Sequence, residues 1–131
     1  MKLYVAIEAP TKESPSFGAF IPDLPGCMTQ ADSMDEIFES AKEAAMCWID
    51  AAFDSGITLP KQRELSEIVE SEPEYNGMIW GVIDVDLSMF TDKTERINIC
   101  LSRRVINRLD AMAQKSGSSR SGYIAQLVMS A

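Results

Sequence analysis

The sequence predicts an α+β chain in two parts, a small antiparallel sheet packed on one long helix and then a strand–helix–helix module. Three observations carry this. Apolar residues alternate in short N-terminal runs and then recur every three or four residues over a long stretch. The strand-then-helix pattern returns near the C-terminus. The charge also divides: Lys93–Ala131 holds seven basic residues against two acidic ones, or +5, and Met1–Asp92 holds five against eighteen, or −13. Opposite signs on two segments imply two partners of opposite sign.

In the N-terminal part, Leu3, Val5 and Ile7 alternate with Tyr4, Ala6 and Glu8, as in a half-buried strand. A turn-rich loop follows from Pro10 to Ser16, and Phe17–Ile21 reads as a second strand. Pro22-Asp23-Leu24-Pro25-Gly26 stops it rigidly. Met28-Thr29-Gln30 fits a short third strand. Ser33-Met34-Asp35-Glu36 is a capping box opening a long helix. Its apolar stripe is Ile37, Phe38, Ala41, Ala45, Trp48, Ile49, Ala52 and Phe53, and Ser55-Gly56 stops it. The other face carries Glu36, Glu39, Glu43, Asp50 and Asp54. A short amphipathic helix is predicted over Lys61–Ser71, and a strand over Met78–Leu87 with Ile79, Gly81, Ile83, Val85 and Leu87 on one face. The polar stretch after Ser88 gives the expected division: a domain over 1–88, a linker over 89–95 and a module over 96–131.

In the module, Arg96–Ser102 alternates with Ile97, Ile99 and Leu101 on one side. Arg103–Ser116 reads as a helix ended by Gly117, and Ser119 caps a second helix carrying Tyr123, Ile124, Leu127 and Val128. So short a unit cannot bury enough apolar surface to fold alone, and a lone strand leaves both edges unpaired. Both difficulties vanish if two chains pair their strands antiparallel over four helices, which is a ribbon-helix-helix dimer. A two-stranded ribbon fits the DNA major groove, where arginine suits guanine and asparagine suits adenine. The polar face Arg96, Asn98 and Cys100 is the expected base reader. Ser119, Arg120 and Ser121 at a helix start are expected to meet a phosphate, with Arg103 and Arg104 adding charge.

Composition removes other classes. The chain has three cysteines and no histidine, so Cys/His zinc sets and Ser–His or Cys–His nucleophile pairs cannot be assembled. Free thiols in a reducing compartment are expected. Glu8, Asp84 and Asp86 lie on strands and could be weighed as magnesium ligands, but strand-surface acids are far more often solubilising. No catalytic residue, metal site or cofactor is assigned. The N-terminal apolar stretch is too short for a secretory signal, and a cytoplasmic location is expected.

Phe20-Ile21-Pro22-Asp23-Leu24-Pro25-Gly26-Cys27 resembles the HicB family of antitoxins, in which an aromatic residue precedes a Pro-Asp-Leu-Pro-Gly-Cys segment. The likeness continues through Met28–Glu36 and Ala41–Ala44; Ile57–Tyr75 carries no family signal. The resemblance implies a partial ribonuclease-H-like domain without catalysis, and a partner in HicA, a small basic ribonuclease toxin. Asp23, Glu36, Glu39 and Glu43 are the candidate toxin contacts. The expected function is an antitoxin that neutralises such a toxin and represses its own operon by binding operator DNA as a homodimer, with tetramers or larger assemblies when toxin is bound. The alternative is a ribbon-helix-helix regulator whose N-terminal domain senses a small ligand.

Overall fold

A computed structural model describes residues Met1–Ala131, which divide into two compact units, Met1–Asp92 and Lys93–Ala131. In the first unit, β1 (Lys2–Glu8), β2 (Phe17–Phe20), β3 (Met28–Ala31) and β4 (Ile79–Asp84) form one antiparallel sheet in the order β3-β2-β1-β4. The alternation of β1 sends Leu3, Val5 and Ile7 into the core, where they meet Ile37, Ala41, Ala45 and Ile49 of α1 (Met34–Asp54). Small alanines at two of these four helix positions let the helix lie close on the sheet.

Both ends of α1 form as the sequence predicts. The Ser33 hydroxyl accepts from the Glu36 amide at 3.2 Å. Gly56 turns with φ +68°, while the Gly56 and Ile57 amides donate to Phe53 and Ala52, the pattern of a Schellman stop.

The opposite face of the sheet has a second, smaller layer. Ala6 pairs in register with Phe20 on one side and Trp80 on the other. Tyr75 bridges these rings, its centroid 6.0 Å from each, and Ala6 is fully buried. Tyr75 comes from a 3-10 turn (Pro73–Tyr75) following α2 (Leu65–Ser71), whose Ile68 is also fully buried.

Two boundaries differ from expectation. The helix expected from Lys61 starts only at Leu65, because Arg63 gives both its backbone amide and its guanidinium to Asp23. The strand expected to reach Leu87 ends at Asp84. There the Asp86 carboxylate accepts from the Ser88 amide and hydroxyl, folding Leu87–Phe90 into a 3-10 turn and leaving Leu87 exposed. Inside the expected linker, 89–95, Phe90 stacks on Phe53 of α1 with centroids 6.1 Å apart, and the division between units falls after Asp92.

The second unit contains α3 (Arg103–Lys115) and α4 (Arg120–Met129). Ser102 caps α3 by accepting from Val105. Gly117, with φ +70°, ends it through amide bonds from Gly117 to Gln114 and from Ser118 to Ala113. Arg96–Ser102, expected as a strand, has no ladder in the single chain, because a strand is defined by its partner and no other segment of this unit can serve as one.

Gly81 faces α1, and a Cβ there would run into the Phe38 ring. Gly81→Ala is therefore expected to destabilise the protein by about 1–3 kcal/mol, and by less when Phe38 is also leucine. Urea unfolding of both single variants and the double variant tests this; strictly additive effects would rule out the contact.

Candidate functional site

The polar side chains expected to read DNA sit on the second unit, all exposed: Arg96, Asn98, Cys100, Arg103, Arg104, Ser119, Arg120 and Ser121. The N-terminus of α4 is occupied in part by its own chain. The Ser119 hydroxyl accepts from the Gly122 amide at 3.0 Å, so it acts first as a cap. The Arg120 and Ser121 amides occupy the first helical positions, which lack intrahelical acceptors.

Arg120 is not a free cation. Its Nε and Nη2 donate to the two carboxylate oxygens of Asp110 at 2.8 and 2.9 Å. The hydrogen bonds from Arg120 hold the Asp110 carboxyl below the usual carboxylate range, and those to Asp110 raise the Arg120 guanidinium. The pair joins α3 to α4 across the Gly117 turn. Nothing in local sequence pattern announces it, because each residue reads separately as a solvated helix charge.

The most informative feature of this unit is apolar. Among all its residues only Leu109 and Ala113 are buried, and α4 buries none. Ile97, Ile99, Leu101, Val105, Met112, Leu127, Val128 and Met129 are exposed. Ile99 and Leu101 line one groove with Val105, Leu109 and Met112 of α3 and with Tyr123, Ile124 and Leu127 of α4. So large an apolar surface on one small unit marks a protein interface.

On the first unit, Glu36, Glu39 and Glu43 are exposed on α1, as are Asp50 and Asp54. Asp23 is not with them, which corrects the expectation that it faces a partner. Its side chain is 2% exposed and is enclosed by Arg63, whose amide donates at 3.0 Å and whose Nε donates at 2.7 Å. Arg63 also donates to Ser71 and to Glu72. This network ties the Pro22–Cys27 turn to the segment around α2. Arg63 lies 40 residues from Asp23 in sequence, beyond the reach of any motif.

Of the acids weighed as metal ligands, Asp84 meets the Met1 ammonium at 3.2 Å and Asp86 binds Ser88. No group of three His, Cys, Asp or Glu side chains is placed to hold a metal. Cys27 is buried, and desolvation, then the neighbouring Cys47, pushes its thiol up to about 11; such a thiol stays protonated and unreactive near neutrality. Cys47 and Cys100 are exposed free thiols. No helix is long and apolar enough to cross a membrane.

Comparison with known proteins adds a family to this geometry. The model of the HicB-like antitoxin of bacterial toxin–antitoxin systems matches residues 3–128. A protein of Haemophilus phage HP1, described as an uncharacterized 14.9 kDa protein in the rep-hol intergenic region, is 32% identical over 109 residues, covering 82% of this chain and 81% of that protein. The crystal structure of the Burkholderia pseudomallei antitoxin HicB is 26% identical with a TM-score of 0.60, over 98% of this chain and 96% of that one. A chain of the HicA3 and HicB3 toxin–antitoxin complex shares the fold at 24% identity with a TM-score of 0.54, over 66% of this chain and 99% of that one.

Arg63→Ala is expected to destabilise the first unit by about 2–4 kcal/mol, since it leaves a buried carboxylate without its cation. Chemical denaturation measures this; a loss below about 0.5 kcal/mol would show the network to be idle.

Proposed function

The chain belongs to the HicB-like antitoxin family, a family of antitoxins and not of enzymes, and from that premise we propose that it neutralises a HicA-type toxin and represses its own operon by binding operator DNA as a dimer. The observation that carries the DNA-binding half is the uncovered apolar face of the second unit. Two copies that pair Arg96–Ser102 antiparallel turn Ile97, Ile99 and Leu101 onto the grooves between their helices. This covers the face and supplies the missing ladder in one step. The same pairing sets Arg96, Asn98 and Cys100 of both strands on the outer surface of a ribbon, the element that enters a major groove. The +5 charge of this unit suits a polyanion.

The toxin-binding half rests on the family and on charge. The relative in the HicA3 and HicB3 complex is bound to a toxin, and a body of net −13 favours a basic, RNA-cleaving partner, with Glu36, Glu39 and Glu43 of α1 steering the encounter. In this reading the first unit is a partial ribonuclease-H-like domain used for binding alone, the second is a ribbon-helix-helix, and the protein works in the cytoplasm. Toxin held by one unit can alter how dimers of the other assemble on DNA, a coupling that is reciprocal by linkage.

Binding to operator variants tests the ribbon. Arg96→Ala is expected to relax preference at one base pair in each half-site, by about 1–3 kcal/mol of discrimination per pair. Arg104→Ala should instead weaken all sequences evenly and flatten the salt dependence by roughly one phosphate contact per chain. Unchanged specificity in Arg96→Ala would put the ribbon in the wrong register. For the toxin, Glu36→Lys, Glu39→Lys and Glu43→Lys together should slow association about tenfold at low salt; surface plasmon resonance with toxin at an unchanged rate would remove α1 from the encounter surface.

A further inference from the structure

The sheet of the first unit has two edges, β3 and β4. The phase of hydrogen bonding along β4 is fixed at its end, where Val85 donates to the Met1 carbonyl at 2.9 Å and accepts from the Met1 amine at 2.7 Å. Bonded pairs alternate along an antiparallel ladder, so Ile83, Gly81 and Ile79 bond to Leu3, Val5 and Ile7, their partners in register. The N–H and C=O groups of Trp80, Val82 and Asp84 therefore point away from β1, along the free edge.

Natural edges are usually blunted by lysine, proline, a bulge or brevity. β4 has none of these. It reads Ile79-Trp80-Gly81-Val82-Ile83-Asp84, its register with β1 runs unbroken over six pairs, and Ile79 and Val82 are about half exposed, at 47% and 51%. The other edge, β3, has four residues of modest strand propensity. β4 is thus built to accept another strand.

Charge selects which strand. Asp84, still 85% exposed beside the Met1 ammonium, and Asp86 lie at one end of the edge. Glu74 directly precedes Tyr75, which sits against Trp80. A second copy would bring another body of −13 against this one, whereas a cationic segment is drawn to it. We infer that the β4 edge is the docking site for an extended, basic segment of the toxin, which adds a strand to the sheet through the backbone of Trp80, Val82 and Asp84. This assignment rests on the toxin-neutralising reading above.

Val82→Pro removes one outward donor without touching the ladder to β1, and proline is tolerated at such an edge position. The full-length chain and this variant are co-expressed with the product of the adjacent reading frame, with operator binding and melting temperature as folding controls. Capture is expected to fall at least about tenfold in Val82→Pro with both controls kept. In the unsubstituted complex, hydrogen exchange at the Trp80, Val82 and Asp84 amides should slow by at least about tenfold, a readout that holds even if the variant fails to fold. Equal capture by Val82→Pro, or unchanged exchange at the three amides, would overturn the edge assignment and leave the antitoxin reading intact. Loss of a self-associated species with capture unaffected would give the edge to a second copy and overturn it as well. No complex with the unsubstituted chain would remove the toxin reading itself.

Discussion

A strand without a partner is the constraint on which the second unit depends. Backbone donors and acceptors need partners, and an apolar strand face needs something to lie on. Within one chain the segment before Ser102 has neither: Ile97 and Ile99 stand 75% and 56% exposed. The two helices behind it cannot close a core either, since their capped ends are well made but their facing sides bury only Leu109 and Ala113. Good local structure on a poor core is the mark of a unit completed by another molecule. In the proposed function, DNA recognition follows from assembly, because a ribbon needs two chains to supply its strands.

The first unit is solved differently. One long helix seals one face of the sheet, and Leu3, Val5, Ile7, Ile37 and Ile49 are fully buried between them. On the other face three aromatic rings shield Ala6, and the Asp23–Arg63 pair anchors the segment that brings Tyr75 there. This unit is self-sufficient in its core and strongly acidic on its surface. In the proposed function a self-sufficient acidic body and an incomplete basic tail divide the labour, the first for a basic protein and the second for its own copy and DNA.

Local physics made much of this legible from sequence. The strand alternation around Val5, the Ser33 cap, the Gly56 and Gly117 stops and the Arg103–Lys115 helix each follow from residues within one or two turns of one another. What escaped depends on residues distant in sequence. Arg63 reads as an ordinary surface cation until the fold brings Asp23 beneath it, and that burial also withdraws Asp23 from the toxin-facing set. Arg120 reads as a free phosphate ligand until the Gly117 turn delivers Asp110. Phe90 reads as part of a polar linker, yet Phe53, far away in sequence, gives it a stacking partner. The β4 edge escaped for another reason. Alternation in Met78–Leu87 identifies a strand, but only the register with β1 says which backbone groups are left over.

The central claim is that two chains complete each other through Arg96–Ser102. It is tested most directly by NMR on a full-length sample mixed from differently labelled chains, beside sedimentation at micromolar concentration. The account predicts a dimer and interchain backbone contacts across antiparallel Ile97–Leu101 segments. A monomer, or a dimer in which these segments show no contact between chains, would contradict it.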